Sequence, residues 1–257
     1  MKGFKRIVKK SINAMGYTLL RNDLIGMDHL IDLNKHDQEL IKEIYSKKYS
    51  MASIPRLVAT AKACRYVVNS DIEGDFIECG VWRGGNSILA KKIFEDAGSD
   101  KQVILCDTFL GMSEPTDKDV KVVSRTSAYD KFLKNDMGEY NSWCYASLDE
   151  VRSNFVDFDC EMSGVTFVKG KVEDTLPKMP SDSIYSILRL DTDWYESTRS
   201  EIEWLYPKLS AKGVLILDDY GHWDGARKAI DEYFQVPNEK LMFNVTDYTG
   251  RVIIKTE

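Results

Sequence analysis

Two pairs of aspartates are the residues of this sequence best suited to chemistry. Asp191 and Asp193 directly follow one apolar run, and Asp218 and Asp219 directly follow a second. If both runs are strands of an open α/β sheet, the aspartates meet where ligands bind, just outside the carboxyl ends. Four converging carboxylates repel one another unless a cation lies between them, and an all-oxygen cluster suits Mg²⁺. The alternative is N-capping, because both pairs also precede segments with helical periodicity.

A glycine-rich turn follows the first predicted strand. Residues 75–80 form this strand, Gly84 and Gly85 come next, and residues 88–94 have the periodicity of a helix. This arrangement binds nucleotide-type cofactors, because glycine lets a ligand approach the backbone near the helix N-terminus. The glycine order is not G-x-G-x-x-G, so the dinucleotide fingerprint is missing. A purely structural turn is the alternative.

Asp107 ends the second predicted strand, residues 103–107, about 27 residues after Gly80. In βαβ cofactor sites an acidic residue at this place hydrogen-bonds ribose hydroxyls. The alternative for Asp107 is a turn or N-cap aspartate.

Strands and helices alternate from residue 71 to residue 257, which predicts an α/β fold. We expect a mostly parallel sheet with helices on both faces. Strands are predicted at 75–80, 103–107, 165–168, 184–190 and 214–217, with a closing hairpin at 241–245 and 251–254. The later helices are predicted at 147–155, 197–209 and 223–234. Ser147 is the expected N-cap of the first of these, with Glu150 completing a capping box, and a turn at 210–213 is expected to close the second.

Residues 1–70 are predicted to form a helical N-terminal extension. A basic amphipathic helix at 1–21 either packs on the domain or docks on a membrane surface or a partner. A polar helical segment at 27–50 follows it. Ser53 then serves as the N-cap of the next helix, with Pro55 in its first turn.

A long polar and aromatic segment separates the second and third predicted strands. Such a long connection is typical of a lid or a binding segment, so we predict a lid-like insertion at about 112–146. Its aromatic side chains either line a substrate pocket or lie on the surface; they are Tyr129, Tyr140, Trp143 and Tyr145.

Composition restricts the class of protein. The chain has 257 residues, 43% of them hydrophobic, which suffices for one large core. With a net charge of −6, the chain lacks the excess of basic residues that is typical of nucleic-acid-binding proteins. No apolar run approaches the roughly 20 residues of a membrane span, and no signal peptide is visible. The five cysteines are scattered, so we expect a reducing, cytoplasmic setting.

Several segments resemble the macrocin O-methyltransferase family. They are F-I-E-C-G-V-W-R-G-G-N, D-T-F-L-G, A-S-L-D-E-V-R-S-N-F, K-G-K-V-E-D-T-L-P, L-R-L-D-T-D-W-Y-E-S-T and L-D-D-Y-G-H-W. The resemblance extends from about Ser53 to Lys255 but does not match the loop between Met112 and Tyr145, where acceptor specificity is expected. It implies a class I methyltransferase fold with a seven-stranded sheet and a reversed last strand. It also implies S-adenosylmethionine, Mg²⁺, a small sugar or glycoside acceptor, and a homo-oligomer.

The resemblance also assigns roles to individual residues. Cofactor contacts are expected at Ser53, Glu78, Gly80, Trp82, Arg83, Gly84, Asp107, Thr108 and Asp191, and metal contacts at Asp191, Asp218 and Asp219. Catechol-type methyltransferases place metal ligands at the same two strand ends. Asp193 is the first candidate for the general base, and His222 is the second.

Three other functions compete with methyl transfer to a sugar. A nicotinamide-dependent oxidoreductase is disfavoured by the missing glycine fingerprint. A non-catalytic interaction protein is disfavoured by the intact aspartate pairs. A nucleic-acid methyltransferase is disfavoured by the acidic charge and by the absence of an N/D-P-P-Y motif.

Overall fold

The computed structural model describes residues 27–235 and 241–257, so the predicted basic helix at 1–21 lies outside the described residues. The strands are β1 (Asp75–Cys79), β2 (Val103–Asp107), β3 (Val165–Lys169), β4 (Tyr185–Leu190), β5 (Leu209–Leu217), β6 (Asn244–Val245) and β7 (Arg251–Ile254). The α-helices are α1 (Lys35–Lys47), α2 (Ile54–Asn69), α3 (Gly85–Asp96), α4 (Tyr129–Lys134), α5 (Leu148–Asp157), α6 (Val172–Thr175), α7 (Tyr195–Leu205) and α8 (Asp224–Gln235). Short 3₁₀ turns lie at Met27–Asp32, Leu176–Lys178 and Tyr206–Lys208.

The strands form one seven-stranded sheet in the order β3-β2-β1-β4-β5-β7-β6. The first five strands are parallel, whereas β7 is antiparallel to both β5 and β6. This is the predicted α/β methyltransferase fold, including the reversed strand of the closing hairpin. The order changes direction at β1 and β4, which is where open α/β sheets bind ligands.

The sheet is covered on both faces, because its central strands are apolar along their whole length. Every residue of β4 is buried. On one face Phe76 packs with Leu57 of α2 and Ile88 of α3, and on the other Leu188 packs with Ile202 of α7. The predicted helical extension therefore contributes to the main core, while a domain boundary at residue 70 stays a prediction.

Local capping signals position the helices as expected. The Ser53 hydroxyl accepts a hydrogen bond from the Arg56 N–H at 3.4 Å at the start of α2. The Ser147 hydroxyl accepts one from the Glu150 N–H at 3.1 Å at the start of α5. The Glu150 side chain forms an ion pair with Arg83 at 2.6 Å.

The structure differs from the sequence prediction at β5. This strand begins at Leu209, whereas residues 210–213 were predicted to form a turn before a strand at 214. Tyr185 pairs with Leu209 and Ile187 pairs with Val214, so β5 contains an irregular bulge at the expected turn. A bulge accommodates turn-forming residues inside a strand because the extra residues need no partner.

The five cysteines are free thiols, four of them buried and Cys144 partly exposed. None of the helices in the described part of the chain has the length and apolarity that crossing a bilayer demands.

Candidate active site

Strand register brings the two aspartate pairs to one edge of the sheet. Cys79 of β1, Leu190 of β4 and Leu217 of β5 lie level with one another. The Asp191 N–H continues the ladder by donating to the Cys79 carbonyl at 2.8 Å, and the Asp218 N–H donates to the Leu190 carbonyl at 3.0 Å. The pairs therefore converge because three parallel strands end together.

Three of the four carboxylates form one cluster. Asp191, Asp193 and Asp219 each place one oxygen within 4.8 Å of the other two. The Asp219 Oδ2 atom is buried and accepts no hydrogen bond from any described residue. An orphaned oxygen beside two other carboxylates fits a hard divalent cation, which takes oxygen ligands and offsets their repulsion.

The environment of the cluster favours protonated carboxyls in the absence of a cation. Burial and the nearby Asp191 carboxylate raise the pKa of Asp193 to about 8. Burial and the charge of Asp218 raise the pKa of Asp191 to about 6. Burial, followed by the neighbouring carboxylates, raises the pKa of Asp219 well above its usual range. A bound cation would lower all three pKa values, because it stabilises the charged forms.

Asp218, which was predicted to bind the metal with Asp191 and Asp219, is not part of the three-carboxylate cluster. One of its oxygens accepts from Arg189, and the other accepts from Arg56. The structure therefore brings Asp193 into the place expected for Asp218, because guanidinium groups occupy both Asp218 oxygens. Asp218 as a ligand stays a prediction that requires Arg56 to release one oxygen.

Arg189 connects three carboxylates of the site, and the sequence analysis did not identify it. It lies in β4 with an exposed fraction of only 1%. Its guanidinium donates to Glu78 at 2.8 Å and to Asp191 at 2.6 Å, as well as to Asp218. An arginine inside an apolar strand is the signal that could have revealed it, since a buried guanidinium requires paired acceptors.

Two adjoining cavities open at this edge of the sheet. Counting the open space at its mouth, the first has a volume of about 660 Å³ and the second about 940 Å³. Both are lined by Asp191 and Asp193, together with Met51, Trp82 and Cys144. Ligands in the two cavities would therefore meet beside the carboxylate cluster.

Five predicted cofactor residues line the first cavity: Gly80, Trp82, Asp107, Thr108 and Asp191. Gly80 has φ +81°, and a Cβ there would lie 1.9 Å from the Asp191 carbonyl oxygen. The close approach of β1 and β4 therefore requires glycine at this turn.

Asp107 fixes the shape of the glycine turn. Its carboxylate accepts hydrogen bonds from the N–H groups of Val81 at 2.7 Å, Trp82 at 3.3 Å and Phe109 at 2.6 Å. These bonds tie the turn after β1 to the end of β2. Binding of a ribose by Asp107 stays a prediction. The structure shows in addition that Asp107 stabilises the turn.

The other four predicted cofactor residues do not line the first cavity. Glu78 lines the second, where it accepts from Ser87 and Arg189. Burial raises the pKa of Glu78 to about 7. The remaining three have other partners: Ser53 donates to Asp247 at 2.6 Å, Arg83 pairs with Glu150, and Gly84 begins α3 against Val151 and Phe155. Their contact with a cofactor stays a prediction.

His222, the second candidate base, lines the second cavity. Its Nδ1 lies 3.1 Å from the Tyr248 hydroxyl oxygen, and its ring packs against Trp223. Burial, followed by the positive charges of Lys121, Arg56 and Lys131, lowers the pKa of His222. The imidazole is therefore neutral at pH 7, as a proton acceptor must be.

The insertion at 112–146 is bound to the strand ends and forms a wall of the second cavity. Its Asp119, fully buried, accepts from the Tyr195 N–H at 2.8 Å at the start of α7. The Trp194 indole donates to the Ser113 carbonyl at 2.9 Å. Trp143 lines the second cavity, whereas Tyr140 and Tyr145 pack against each other, with ring centroids 4.5 Å apart. Of the four predicted aromatics, Trp143 is thus the one that lines either cavity.

Comparison with known proteins agrees with this geometry. The family model described as macrocin-O-methyltransferase (TylF) matches residues 10–252. The chain is 34% identical over 197 residues to demethyldecarbamoylnovobiocin O-methyltransferase of Streptomyces niveus, covering 75% of this chain and 71% of the relative. It is 33% identical over 189 residues to 8-demethyl-8-(2,3-dimethoxy-alpha-L-rhamnosyl)-tetracenomycin-C 4'-O-methyltransferase of Streptomyces olivaceus, covering 73% and 68%.

A solved structure, that of the O-methyltransferase NovP, superposes with a TM-score of 0.69 at 33% identity, covering 81% of this chain and 83% of that one. The family model covers nearly the whole sequence, and the fold and the two relatives agree with it. The chain therefore belongs to the macrocin O-methyltransferase family and is an S-adenosylmethionine-dependent O-methyltransferase.

Proposed function

We propose that this enzyme methylates a sugar hydroxyl of a nucleotide sugar, a glycoside or a surface-glycan precursor, and that it requires Mg²⁺. The observation that carries the proposal is the pair of cavities that share Asp191 and Asp193. A methyl donor in one and an acceptor in the other would meet at those carboxylates. A relative named for a rhamnosyl-bearing substrate supports a sugar acceptor.

The first cavity is the site we assign to the cofactor. It lies beside the turn after β1. Gly80 has no side chain to cover the backbone of this turn, and the Asp107 carboxylate accepts a hydrogen bond from the Val81 N–H in the same turn. The second cavity is the site we assign to the acceptor. Its wall includes Trp143 and Trp223, and indole faces offer the apolar surface that a sugar ring packs against.

The difficult part of the reaction is the acceptor. A sugar hydroxyl has a pKa somewhat below that of water, which is about 15.7. Full deprotonation at pH 7 would cost about 10 kcal/mol, at about 1.36 kcal/mol per pKa unit. When bound, S-adenosylmethionine supplies an electrophilic methyl group, and Mg²⁺ stabilises negative charge on the hydroxyl oxygen.

We propose that Asp191, Asp193 and Asp219 hold the cation and that Asp193 accepts the hydroxyl proton. The Trp223 indole donates to Asp193 Oδ1 at 2.6 Å, which fixes the side chain beside the other two carboxylates of the cluster. Arg189 holds Asp191 at 2.6 Å, which orients a second carboxylate of the cluster. His222 remains the second candidate for the base.

The experiment that tests the proposal follows label from methyl-tritiated S-adenosylmethionine into a host extract, with Mg²⁺ and with EDTA. We expect Mg²⁺-dependent label in small-molecule or glycan fractions. Asp191→Asn and Asp219→Asn should abolish transfer, because they remove metal ligands. Asp219→Asn should also bind S-adenosylhomocysteine normally, because Asp219 lines the second cavity but not the first. Asp182→Asn, in an exposed loop before β4, is the matched control.

Full turnover in EDTA, or in either metal-site variant, would refute the Mg²⁺ mechanism. Label in protein or nucleic acid would refute the sugar acceptor. A cytoplasmic location and a homo-oligomer, both expected from the sequence, stay predictions.

A further inference from the structure

The second cavity has walls of opposite charge. Asp191, Asp193 and Asp219 lie on the strand side, whereas Lys121 and Lys131 of the insertion lie on the other. Arg56 also lines this cavity, but its guanidinium is paired with Asp218 and Asp247, which leaves the two lysines as the lining cations that a ligand could use.

Among the residues that the structure describes, no carboxylate lies within ion-pair distance of Lys121 or Lys131, whereas Lys118 in the same insertion pairs with Glu196 at 2.7 Å. Instead, the Lys131 Nζ lies 3.9 Å from the centroid of the Trp143 ring, and the Lys121 Nζ lies 5.9 Å from that of Trp223. An aromatic face attracts an ammonium group without cancelling its charge.

The lysines are held at the cavity by the fold. Lys121 forms a backbone bridge with Trp223 at the start of α8. Lys131 lies in α4, where Asn141 donates to the carbonyl of Phe132 at 2.9 Å and so ties the helix to the rest of the insertion. Both charges therefore face the cavity from well-anchored backbone positions.

We propose that the acceptor carries a phosphate group and that Lys121 and Lys131 bind it. This inference rests on the proposed function, because it concerns the acceptor of the same site. Two ammonium groups match the charge of about −2 on a phosphate monoester or a diphosphate, whereas a carboxylate needs only one. The aspartates repel the phosphate, so the acceptor binds with its phosphate toward the insertion and its hydroxyl toward Asp193.

The first test uses inorganic pyrophosphate as the probe. The enzyme, saturated with S-adenosylhomocysteine and free of divalent cations, is titrated calorimetrically at low and high salt. We expect salt-sensitive binding that weakens about tenfold or more in the double variant Lys121→Met/Lys131→Met, because the variant removes both charged donors to the phosphate. Lys134→Met, in the same helix but outside both cavities, is the control and should bind as the wild type does.

Failure of the wild type to bind pyrophosphate, or equal binding by the double variant, would overturn the proposal. S-adenosylhomocysteine affinity is measured in parallel. A wild type that binds pyrophosphate but not S-adenosylhomocysteine would count against the methyl-transfer function and leave the lysine site intact.

The second test examines the tritiated product. We expect it to bind an anion exchanger and to lose that charge after enzymatic dephosphorylation. Release by phosphatase alone identifies a sugar phosphate, and a requirement for nucleotide pyrophosphatase identifies a nucleoside-diphosphate sugar. A neutral product, or an anionic one that resists both enzymes, would contradict a phosphate-bearing acceptor.

Discussion

Asp193 is the residue on which the chemistry of this site depends most. It takes φ +68°, a left-handed conformation that costs energy for a residue other than glycine. That backbone turn places Asp193 beside Asp191 and Asp219 instead of on the helix that follows. A simple N-cap would need no such strain, so the geometry favours the site over the capping alternative.

Cation binding to this residue should depend on pH. The pKa of Asp193 is raised to about 8, so below pH 8 its carboxyl carries a proton that Mg²⁺ must displace. Because the pKa of Asp219 is raised as well, we expect Mg²⁺ affinity to rise about tenfold or more per pH unit between pH 6 and 8, with at least one proton released per ion. Calorimetry in buffers of different ionisation enthalpy measures both quantities.

Asp193→Asn should bind Mg²⁺ more weakly and with fewer protons released over the same range, because it removes a titrating ligand. The control is Asp182→Asn, whose side chain is exposed and lines neither cavity. An affinity that does not change with pH in the wild type would exclude Asp193 as a ligand.

At the scale of elements, the insertion and α7 support each other. Trp194 at the N-cap of α7 provides no side-chain hydrogen bond, and Asp119 of the insertion accepts from the first helical N–H instead. The same carboxylate accepts from the Thr116 N–H at 2.7 Å. One buried aspartate therefore fixes the insertion on the strand ends and caps the helix that follows β4.

Asp119→Ala should lower the free energy of unfolding by about 1–2 kcal/mol, the usual effect of losing a cap and leaving buried donors unpaired. It should also raise KM for the acceptor while S-adenosylhomocysteine affinity stays close to that of the wild type. Urea denaturation and steady-state kinetics measure these effects. Asp117→Ala is the control, because Asp117 is exposed and lies two residues away. An equal loss of stability in both variants would contradict the capping role of Asp119.

At the scale of the whole molecule, a buried carboxyl under the sheet edge makes stability depend on pH. Glu201 of α7 is fully buried and has no ion pair among the described residues. Burial raises its pKa well above the ordinary value of 4.5. Above pH 4.5 the folded state therefore binds more protons than the unfolded state. The free energy of unfolding decreases as the pH rises, until the pH exceeds the pKa of Glu201 in the folded state.

Glu201→Gln should reduce this loss of stability, because the amide keeps the shape of the side chain and cannot ionise. We expect the difference in melting temperature between the variant and the wild type to grow from pH 5 to pH 8. Glu203→Gln, in the exposed part of the same helix, should show no such trend, since surface ion pairs contribute little. A constant difference across pH would mean that Glu201 does not titrate.

The local signals in the sequence were sufficient to predict the order of the strands and of most helices, but not α4 in the insertion. Apolar runs marked the strands, Ser53 and Ser147 marked helix starts, and the positions of Asp191 and Asp219 after two runs predicted carboxylates at one sheet edge. These predictions succeeded because periodicity and capping depend on neighbours in the chain. The turn predicted at residues 210–213 was wrong for the complementary reason, since pairing with β4 extends β5 through it.

Only the tertiary structure decided which side chains meet. Arg56 comes from α2 and Arg189 from β4, yet both pair with Asp218, which leaves Asp193 to complete the cluster. The insertion likewise brings Lys131 to a cavity built largely from distant strand ends. Pairings of this kind depend on strand order, register and the satisfaction of buried charges over the whole fold. The sequence by itself therefore determined the family, the fold and the edge at which chemistry occurs, while the folded chain determined the partners of each charge there.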